Sequence, residues 1–233
     1  MTYYNKSLRD VYSENWEELD RKLNDLRIDE TVDIKPANPF LLWIENERQY
    51  EQSDIKVMII GQETNGWHEK EEVSIESLQK LYSGFYFGGD CWSYGGQFWN
   101  GFKRLKNSLV DRFPDKKIEL VWNNLVKIGK KKDKGFPPDY IYEIEREYFN
   151  VLQKELDILK PNLIVFFSGP NYDHIIEEKF GKLSYNVCSL FDTRRLAKID
   201  FPNTNFCFRT YHPNYLFRNN IDDFIESITE HIQ

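Results

Sequence analysis

Four short apolar segments, each followed directly by polar residues, constrain the fold more than any other feature of this sequence. They cover residues 56–60, 118–128, 162–167 and 207–211. Strands that are apolar throughout and alternate with helices are typical of a parallel sheet covered on both faces. The sequence therefore predicts an α/β fold, a three-layer α/β/α sandwich around a central, mostly parallel, four-stranded sheet.

Helical periodicity fills most of the intervals between these strands. We expect helices over residues 13–27, 38–50, 140–159, 173–180 and 221–232, and one that begins at residue 97. Residues 81–96, rich in aromatic side chains and glycine, are predicted to form a long functional loop. With 233 residues, the chain is expected to form a single domain, residues 1–233, with residues 1–50 as a helical extension packed on it.

Charge and composition restrict the class of protein. The formal net charge of −7 argues against coating of nucleic acid by bulk attraction, so any such contact must be local. The basic run that includes Lys130, Lys131 and Lys134 is the main candidate, although such a run is also typical of a solvated loop. No segment approaches the roughly 20 apolar residues of a membrane helix, and the first residues lack a signal-peptide pattern. We expect a cytoplasmic monomer with no membrane contact; the sequence does not indicate which proteins bind it.

Polar residues follow each of the four predicted strands. The clusters are GQETN after the first, NN within the second, SGPN after the third and YHPN after the fourth. Open parallel sheets bind ligands at the carboxyl ends of their strands, so these clusters should converge on one site. Of the neighbouring asparagines Asn123 and Asn124, only one can enter a pocket, because successive strand residues point to opposite faces.

The order and content of these clusters resemble the uracil-DNA glycosylase superfamily. Residues 61–65 (GQETN) resemble its first motif, and residues 211–218 (YHPNYLFR) resemble its second motif, a His-Pro pair followed by the loop that enters DNA. Residues 124–127 (NLVK) and 160–165 (KPNLIV) resemble segments of the iron–sulphur branch. That branch holds its cluster with four thiolates, whereas this chain has three scattered cysteines, so we expect no cofactor and no metal.

The resemblance implies specific roles for the polar residues. Breaking an N-glycosidic bond develops positive charge on the sugar and negative charge on the departing base, so a site needs groups that stabilise both. Glu63 is expected to stabilise the sugar cation and orient water, and His212 to donate a hydrogen bond to the base oxygen. Asn124, with Asn123 as the alternative, is expected to read the pairing edge of a flipped base. Trp92 is the first choice for the stacking ring, and Phe87 the second.

Further residues complete the predicted site. Gln62 and Thr64 are expected to contribute main-chain N–H groups to the substrate, and Asn65 stands where some members carry a thymine-excluding tyrosine. Ser168 and Asn171 are candidate phosphate contacts. The 214–218 segment is the predicted DNA wedge, in which Leu216 fills the gap left by the base and Asn214 and Arg218 contact the strand.

The predicted function is that of a DNA glycosylase acting on uracil or a related damaged base in single- or double-stranded DNA. One alternative is a protein that keeps the pocket and binds a nucleobase, nucleotide or nucleic acid without cutting it. Another is hydrolysis of a different N-glycosidic substrate. A carboxylate at position 63 favours the enzyme, while the acidic net charge favours the alternatives.

Overall fold

A six-stranded sheet forms the centre of the protein. The structure, a computed structural model, describes residues 4–67 and 73–232. The strands are β1 Ile55–Glu63, β2 Ile118–Val126, β3 Leu163–Phe166, β4 Ser184–Val187, β5 Leu196–Asp200 and β6 Phe206–Thr210. Their order across the sheet is β2-β1-β3-β6-β5-β4. The first four in this order pair in parallel, and β5 and β4 continue the sheet in antiparallel pairing.

The α/β class and the mostly parallel sheet are confirmed, but the predicted count of four strands is wrong. The two strands missing from the prediction are β4 and β5, which form the antiparallel edge. Strand β4 is exposed or half-buried along its whole length, so it needs no apolar run. An edge strand whose four residues are all exposed or half-buried gives no continuous apolar run for a sequence to reveal.

Helices flank this sheet. They are α1 Tyr4–Ser13, α2 Trp16–Ile28, α3 Glu47–Glu51, α4 Ile75–Tyr82, α5 Asp90–Tyr94, α6 Gln97–Arg112, α7 Asp139–Tyr148, α8 Leu152–Leu159, α9 Asp173–Phe180, α10 Pro213–Leu216 and α11 Ile221–Glu230. A π-helical turn spans Ser83–Phe87, and short 3-10 turns span Pro170–Tyr172 and Phe217–Asn219. None of the helices in the described ranges is long and apolar enough to cross a membrane.

Two predicted helices differ from the observed ones because the backbone has other partners. Most of the 38–50 segment is not helical; helix α3 covers only Glu47–Glu51. The N–H of Phe40 instead donates to the carbonyl of Lys127, 2.9 Å away, beside the end of β2. The single helix predicted over residues 140–159 is two helices, α7 and α8, because Phe149 leaves helical geometry at φ −140°.

The long loop predicted over residues 81–96 is wrong, because this segment is largely helical. It comprises the end of α4, the π-helical turn and α5. The hydroxyl of Tyr82 donates to the carbonyl of Trp122 at 2.9 Å, and that of Tyr86 donates to the carbonyl of Leu120 at 2.8 Å. These tyrosines thus satisfy carbonyls of β2, which is an edge strand among the described residues.

A buried ionic cluster ties the amino-terminal helix to the sheet. Lys127, just after β2, lies 2.7 Å from the Glu155 carboxylate of α8, and both side chains are fully buried. The hydroxyl of Tyr12 in α1 donates to Glu155 at 2.6 Å, and the Asn123 amide donates to the same carboxylate at 2.9 Å. Buried charges of this kind persist only when each has partners.

Candidate functional site

Glycines near the carboxyl ends of β1 and β2 allow close packing around the turn that follows β1. Gly61 pairs with Asn124 in the β1–β2 register, and a Cβ on Gly61 would lie 2.5 Å from the Asn124 Oδ1 atom. A Cβ on Gly129 would lie 1.6 Å from the carbonyl oxygen of Thr64. These two close approaches fix the backbone that carries Glu63.

A cavity of about 680 Å³ opens at the carboxyl edge of the parallel strands. Glu63, Asn124 and His212, which come from three different strand ends, all line it. Six aromatic side chains contribute to the remaining wall: Trp67, Phe85, Tyr94, Phe98, Trp99 and Trp122. The cavity can therefore enclose a flat ring and present a carboxylate, an amide and an imidazole to it.

Glu63 is half-buried, and burial raises the pKa of its carboxyl group above the ordinary value. Three groups oppose this effect and lower the pKa: a hydrogen bond from the Tyr172 hydroxyl, the charge of Lys130 and the backbone N–H of Gly135. Tyr172 lies in the short turn after β3, and its hydroxyl donates directly to Glu63 Oε2. The carboxylate is thus oriented from one side by a neutral donor.

His212 lies at the start of α10, with its ring held in one orientation. The backbone N–H of Asn214 donates to its Nδ1 atom at 3.1 Å, so a neutral ring carries its proton on Nε2. Burial lowers the pKa of the imidazole, which favours that neutral form. Gly101 of α6 allows α10 to pack this closely, because a Cβ there would lie 2.5 Å from Pro213.

The two neighbouring asparagines of β2 lie on opposite faces of the sheet. Asn124 is 3% exposed and lines the cavity, whereas Asn123 is fully buried in the ionic cluster with Lys127 and Glu155. The Asn124 amide accepts a hydrogen bond from Trp122 Nε1 at 3.3 Å and donates one to Thr64 Oγ1 at 3.2 Å. The alternative assignment of the pocket amide to Asn123 is therefore wrong.

Neither of the two predicted stacking residues lines the cavity. Trp92 is 42% exposed and packs against Trp99 and Phe102, and Phe87 packs against Tyr82 and Tyr86. Phe98 does line the cavity, with its ring 6.0 Å from the His212 ring and inclined by 30°. Phe98 lies in the first turn of α6, four residues before the buried Phe102 and next to the buried Trp99, so the sequence pattern does not separate it from the core-facing rings of that helix.

The remaining predicted residues of the turn have specific partners. The Gln62 side chain donates to the carbonyl of Ser168 at 2.8 Å, while Asn65 lies exposed at the cavity wall. The expectation that the Thr64 N–H faces substrate is wrong, because that N–H donates to the carbonyl of Val126 at 3.1 Å. Ser168 is 1% exposed and has a buried hydroxyl with no hydrogen-bond partner in the described part of the chain.

A second groove of about 280 Å³ adjoins the cavity and shares Gln62, His212 and Asn214 with it. Ser168, Asn171, Tyr172 and Arg218 also line this groove. Leu216 is fully buried, so its predicted role as the DNA wedge is wrong for this conformation. The exposed apolar residue of that segment is Phe217, at 40% exposure.

Basic side chains lie near the Glu63 side of the cavity. Lys134 contributes to the cavity wall, and Lys130, which acts on the Glu63 charge, forms an ion pair of 2.9 Å with Asp133. Lys131 is half-buried, and its backbone N–H donates to the carbonyl of Lys35 at 2.8 Å. The predicted basic loop is thus at the site, with Lys134 rather than Lys131 on the cavity wall.

The sheet topology and the cavity define a class of α/β protein with an aromatic-lined cavity at the carboxyl edge of its strands, where a carboxylate and an imidazole lie together. Comparison with known families identifies that class. Residues 48–233 match the family described as the Uracil DNA glycosylase superfamily, and the chain belongs to this superfamily. The expected family is confirmed. No curated protein matches the chain at a significant level.

Proposed function

We propose that this protein is a DNA glycosylase that hydrolyses the N-glycosidic bond of uracil or a related damaged base in DNA. The observation that carries the proposal is that Glu63 and His212 line one cavity, together with Asn124 and Phe98. Superfamily membership supports DNA as the partner. In this proposal an extruded base enters the aromatic cavity, and the strand lies across its mouth.

Glu63 stabilises the positive charge that develops on the sugar as the glycosidic bond breaks. A carboxylate that is half-buried acts through a lower dielectric than water, so its charge has a stronger effect on the transition state. The hydrogen bond from Tyr172 fixes the orientation of the carboxylate before the reaction. An oxygen of Glu63 also accepts a hydrogen bond from the attacking water.

His212 stabilises the negative charge that develops on the leaving base. With Nδ1 occupied by the Asn214 N–H, the neutral ring donates its Nε2–H to the base oxygen. Asn124 has one amide hydrogen and one oxygen lone pair beyond its internal hydrogen bonds, and these read the pairing edge of the base. Phe98 stacks on the base.

The DNA strand contacts the rim of the cavity and the adjoining groove. Lys130 and Lys134 on one side and Arg218 on the other supply phosphate contacts; the Ser168 hydroxyl is buried and is not among them. Phe217, rather than Leu216, is the apolar side chain that fills the gap left by the base. We propose that residues 1–233 act as a monomeric single domain, with helices α1 and α2 packed on it.

The net charge of −7 favours a second candidate, a protein that binds a nucleobase, a nucleotide or nucleic acid in the same cavity without cutting it. One assay separates the two. Purified protein is incubated with a labelled oligonucleotide that contains a single uracil, and the product is treated with alkali. We expect strand cleavage at the uracil position; an intact strand under all conditions, with binding retained, would support the second candidate.

A further inference from the structure

The orientation of the Asn124 amide determines which base the cavity can read. An amide presents an oxygen acceptor on one side and an N–H donor on the other, and rotation by half a turn exchanges them. Uracil offers an N–H donor next to a carbonyl acceptor, whereas cytosine offers an acceptor next to an amino donor. An amide fixed in one orientation selects one of these bases, and an amide free to rotate accepts both.

Trp122 fixes the orientation of the Asn124 amide through a hydrogen bond in which Trp122 can only be the donor. Its Nε1–H lies 3.3 Å from Asn124 Oδ1, two residues along β2 and on the same face of the sheet. An indole nitrogen donates and never accepts. Rotation of the amide would bring an N–H against this N–H in a buried site, and two donors left without an acceptor there are costly.

Thr64 holds the other end of the amide but cannot fix its orientation. Its hydroxyl donates to the carbonyl of Val126 at 3.1 Å and accepts from Asn124 Nδ2 at 3.2 Å. A hydroxyl can rotate and donate instead, and the Val126 carbonyl would still accept the Thr64 N–H at 3.1 Å. Thr64 can therefore satisfy either orientation.

We propose that Trp122 is the specificity-determining residue of this site, because it holds the Asn124 amide with its oxygen and remaining N–H set for uracil and against cytosine. The inference rests on the proposed reading of the base by Asn124. Trp122 acts as a positioning residue through Asn124. Its ring has a second, separate role as part of the cavity wall.

The test compares binding of two uncleavable oligonucleotides, one with 2′-fluoro-2′-deoxyuridine and one with 2′-fluoro-2′-deoxycytidine at the same position. Wild type is expected to prefer the uridine strand. In Trp122→Phe, the ratio of the two dissociation constants is expected to fall by roughly tenfold, the effect of losing one buried hydrogen bond. Trp99→Phe is the matched control, because Trp99 lines the same cavity and packs on Trp122 with ring centroids 4.9 Å apart. Its ratio should not change.

A second replacement keeps the test valid if Trp122→Phe does not fold. Benzothienylalanine at position 122 has the shape of tryptophan with sulphur in place of the N–H, and it should lower the ratio to the same extent. An unchanged ratio in a folded protein with either replacement overturns the role of Trp122. Release of uracil by wild type is measured in parallel, so that failure of this inference can be told from failure of the proposed function. If wild type releases uracil and the ratio of dissociation constants is unchanged in the variants, only the role of Trp122 is removed. If wild type neither releases uracil nor prefers the uridine strand, the proposed function is removed and this inference with it.

Discussion

At the residue scale, the proposed mechanism depends on two groups in their deprotonated forms, Glu63 and His212. Burial raises the pKa of Glu63, and burial lowers the pKa of His212. In the proposed mechanism the carboxylate must be charged and the imidazole neutral. Protonation of Glu63 removes the charge that stabilises the sugar cation, and protonation of His212 at Nδ1 sets an N–H against the N–H of Asn214 and displaces the ring, so the rate should fall towards acid pH and remain level above the pKa values of both groups.

The hydrogen bond from Tyr172 to Glu63 gives the first prediction. This bond stabilises the charged carboxylate and thereby lowers its pKa. In Tyr172→Phe the pKa of Glu63 should rise further. In a plot of the single-turnover rate against pH, the fall at acid pH should therefore move to higher pH, while the level rate at higher pH changes less. Tyr142→Phe is the control, since its hydroxyl donates to the distant Glu178 at 3.0 Å. If the single-turnover rate of Tyr172→Phe falls at the same pH as that of wild type, the role of Tyr172 is contradicted.

The assignment of the stacking ring gives the second prediction. Phe98→Ala should weaken binding of a uracil-containing single strand by about 1–3 kcal/mol, the usual cost of losing one base–aromatic contact. Trp92→Ala, which removes a ring outside the cavity, should change this binding little. Fluorescence anisotropy with a labelled oligonucleotide measures both. A larger effect at Trp92 would return the stacking role to that residue.

The polar end of each strand could be predicted from sequence, but the ring that faces the site could not. Glu63, Asn124 and His212 directly follow or end buried strands, and a parallel sheet brings such ends together. Phe98 and Tyr172 enter the site from a helix and a short turn, whose direction depends on packing rather than on a repeating pattern. Trp92 and Phe98 have the same chemistry, and only the fold separates them.

At the element scale, the strands that could be predicted are the four that pair in parallel. Strands β1, β2, β3 and β6 have apolar runs, whereas β4 is exposed or half-buried throughout. The 81–96 segment misleads for a related reason. Its glycines and aromatic rings are typical of a loop, yet the rings pack on β2 and two hydroxyls bond its carbonyls.

The ionic cluster between α1, α8 and β2 gives the third prediction. Lys127→Met leaves the Glu155 carboxylate buried without its cation, which typically costs about 3–5 kcal/mol of unfolding free energy. Adding Glu155→Leu should recover part of this loss, because the unpaired charge is removed as well. Urea unfolding of wild type, Lys127→Met and the double variant measures the three free energies of unfolding. Lys154, in the same helix as Glu155, forms an exposed ion pair with Glu14, so Lys154→Met should have no comparable effect on the unfolding free energy. An unfolding free energy of Lys127→Met equal to that of wild type would contradict the role of the buried pair.

At the scale of the whole molecule, an acidic protein concentrates a few cations beside its cavity. The chain carries a net charge of −7, yet Lys130, Lys134 and Arg218 lie at the cavity or its adjoining groove. Attraction to DNA should therefore be local and short in range, because it acts against repulsion from the rest of the surface.

The salt dependence of DNA binding gives the fourth prediction. Affinity for duplex DNA should fall with salt, with a slope of about −0.9 per phosphate neutralised. Lys130→Gln, Lys134→Gln and Arg218→Gln should each reduce the slope by about 0.9 if each side chain meets one phosphate. Lys117→Gln is the control, because Lys117 precedes β2 at the opposite edge of the sheet. Equal slopes in all four variants would exclude this face as the DNA contact.

In the proposed mechanism, Glu63 and His212 together cleave the bond between uracil and its sugar. Single-turnover release of uracil from one oligonucleotide tests it most directly, with wild type, Glu63→Gln and His212→Ala compared under the same conditions. Wild type should release uracil. Glu63→Gln should bind the strand and release uracil far more slowly, and His212→Ala should lose about 10²–10³ in rate, the usual cost of one preorganised donor. Release by Glu63→Gln as fast as by wild type would contradict the claim.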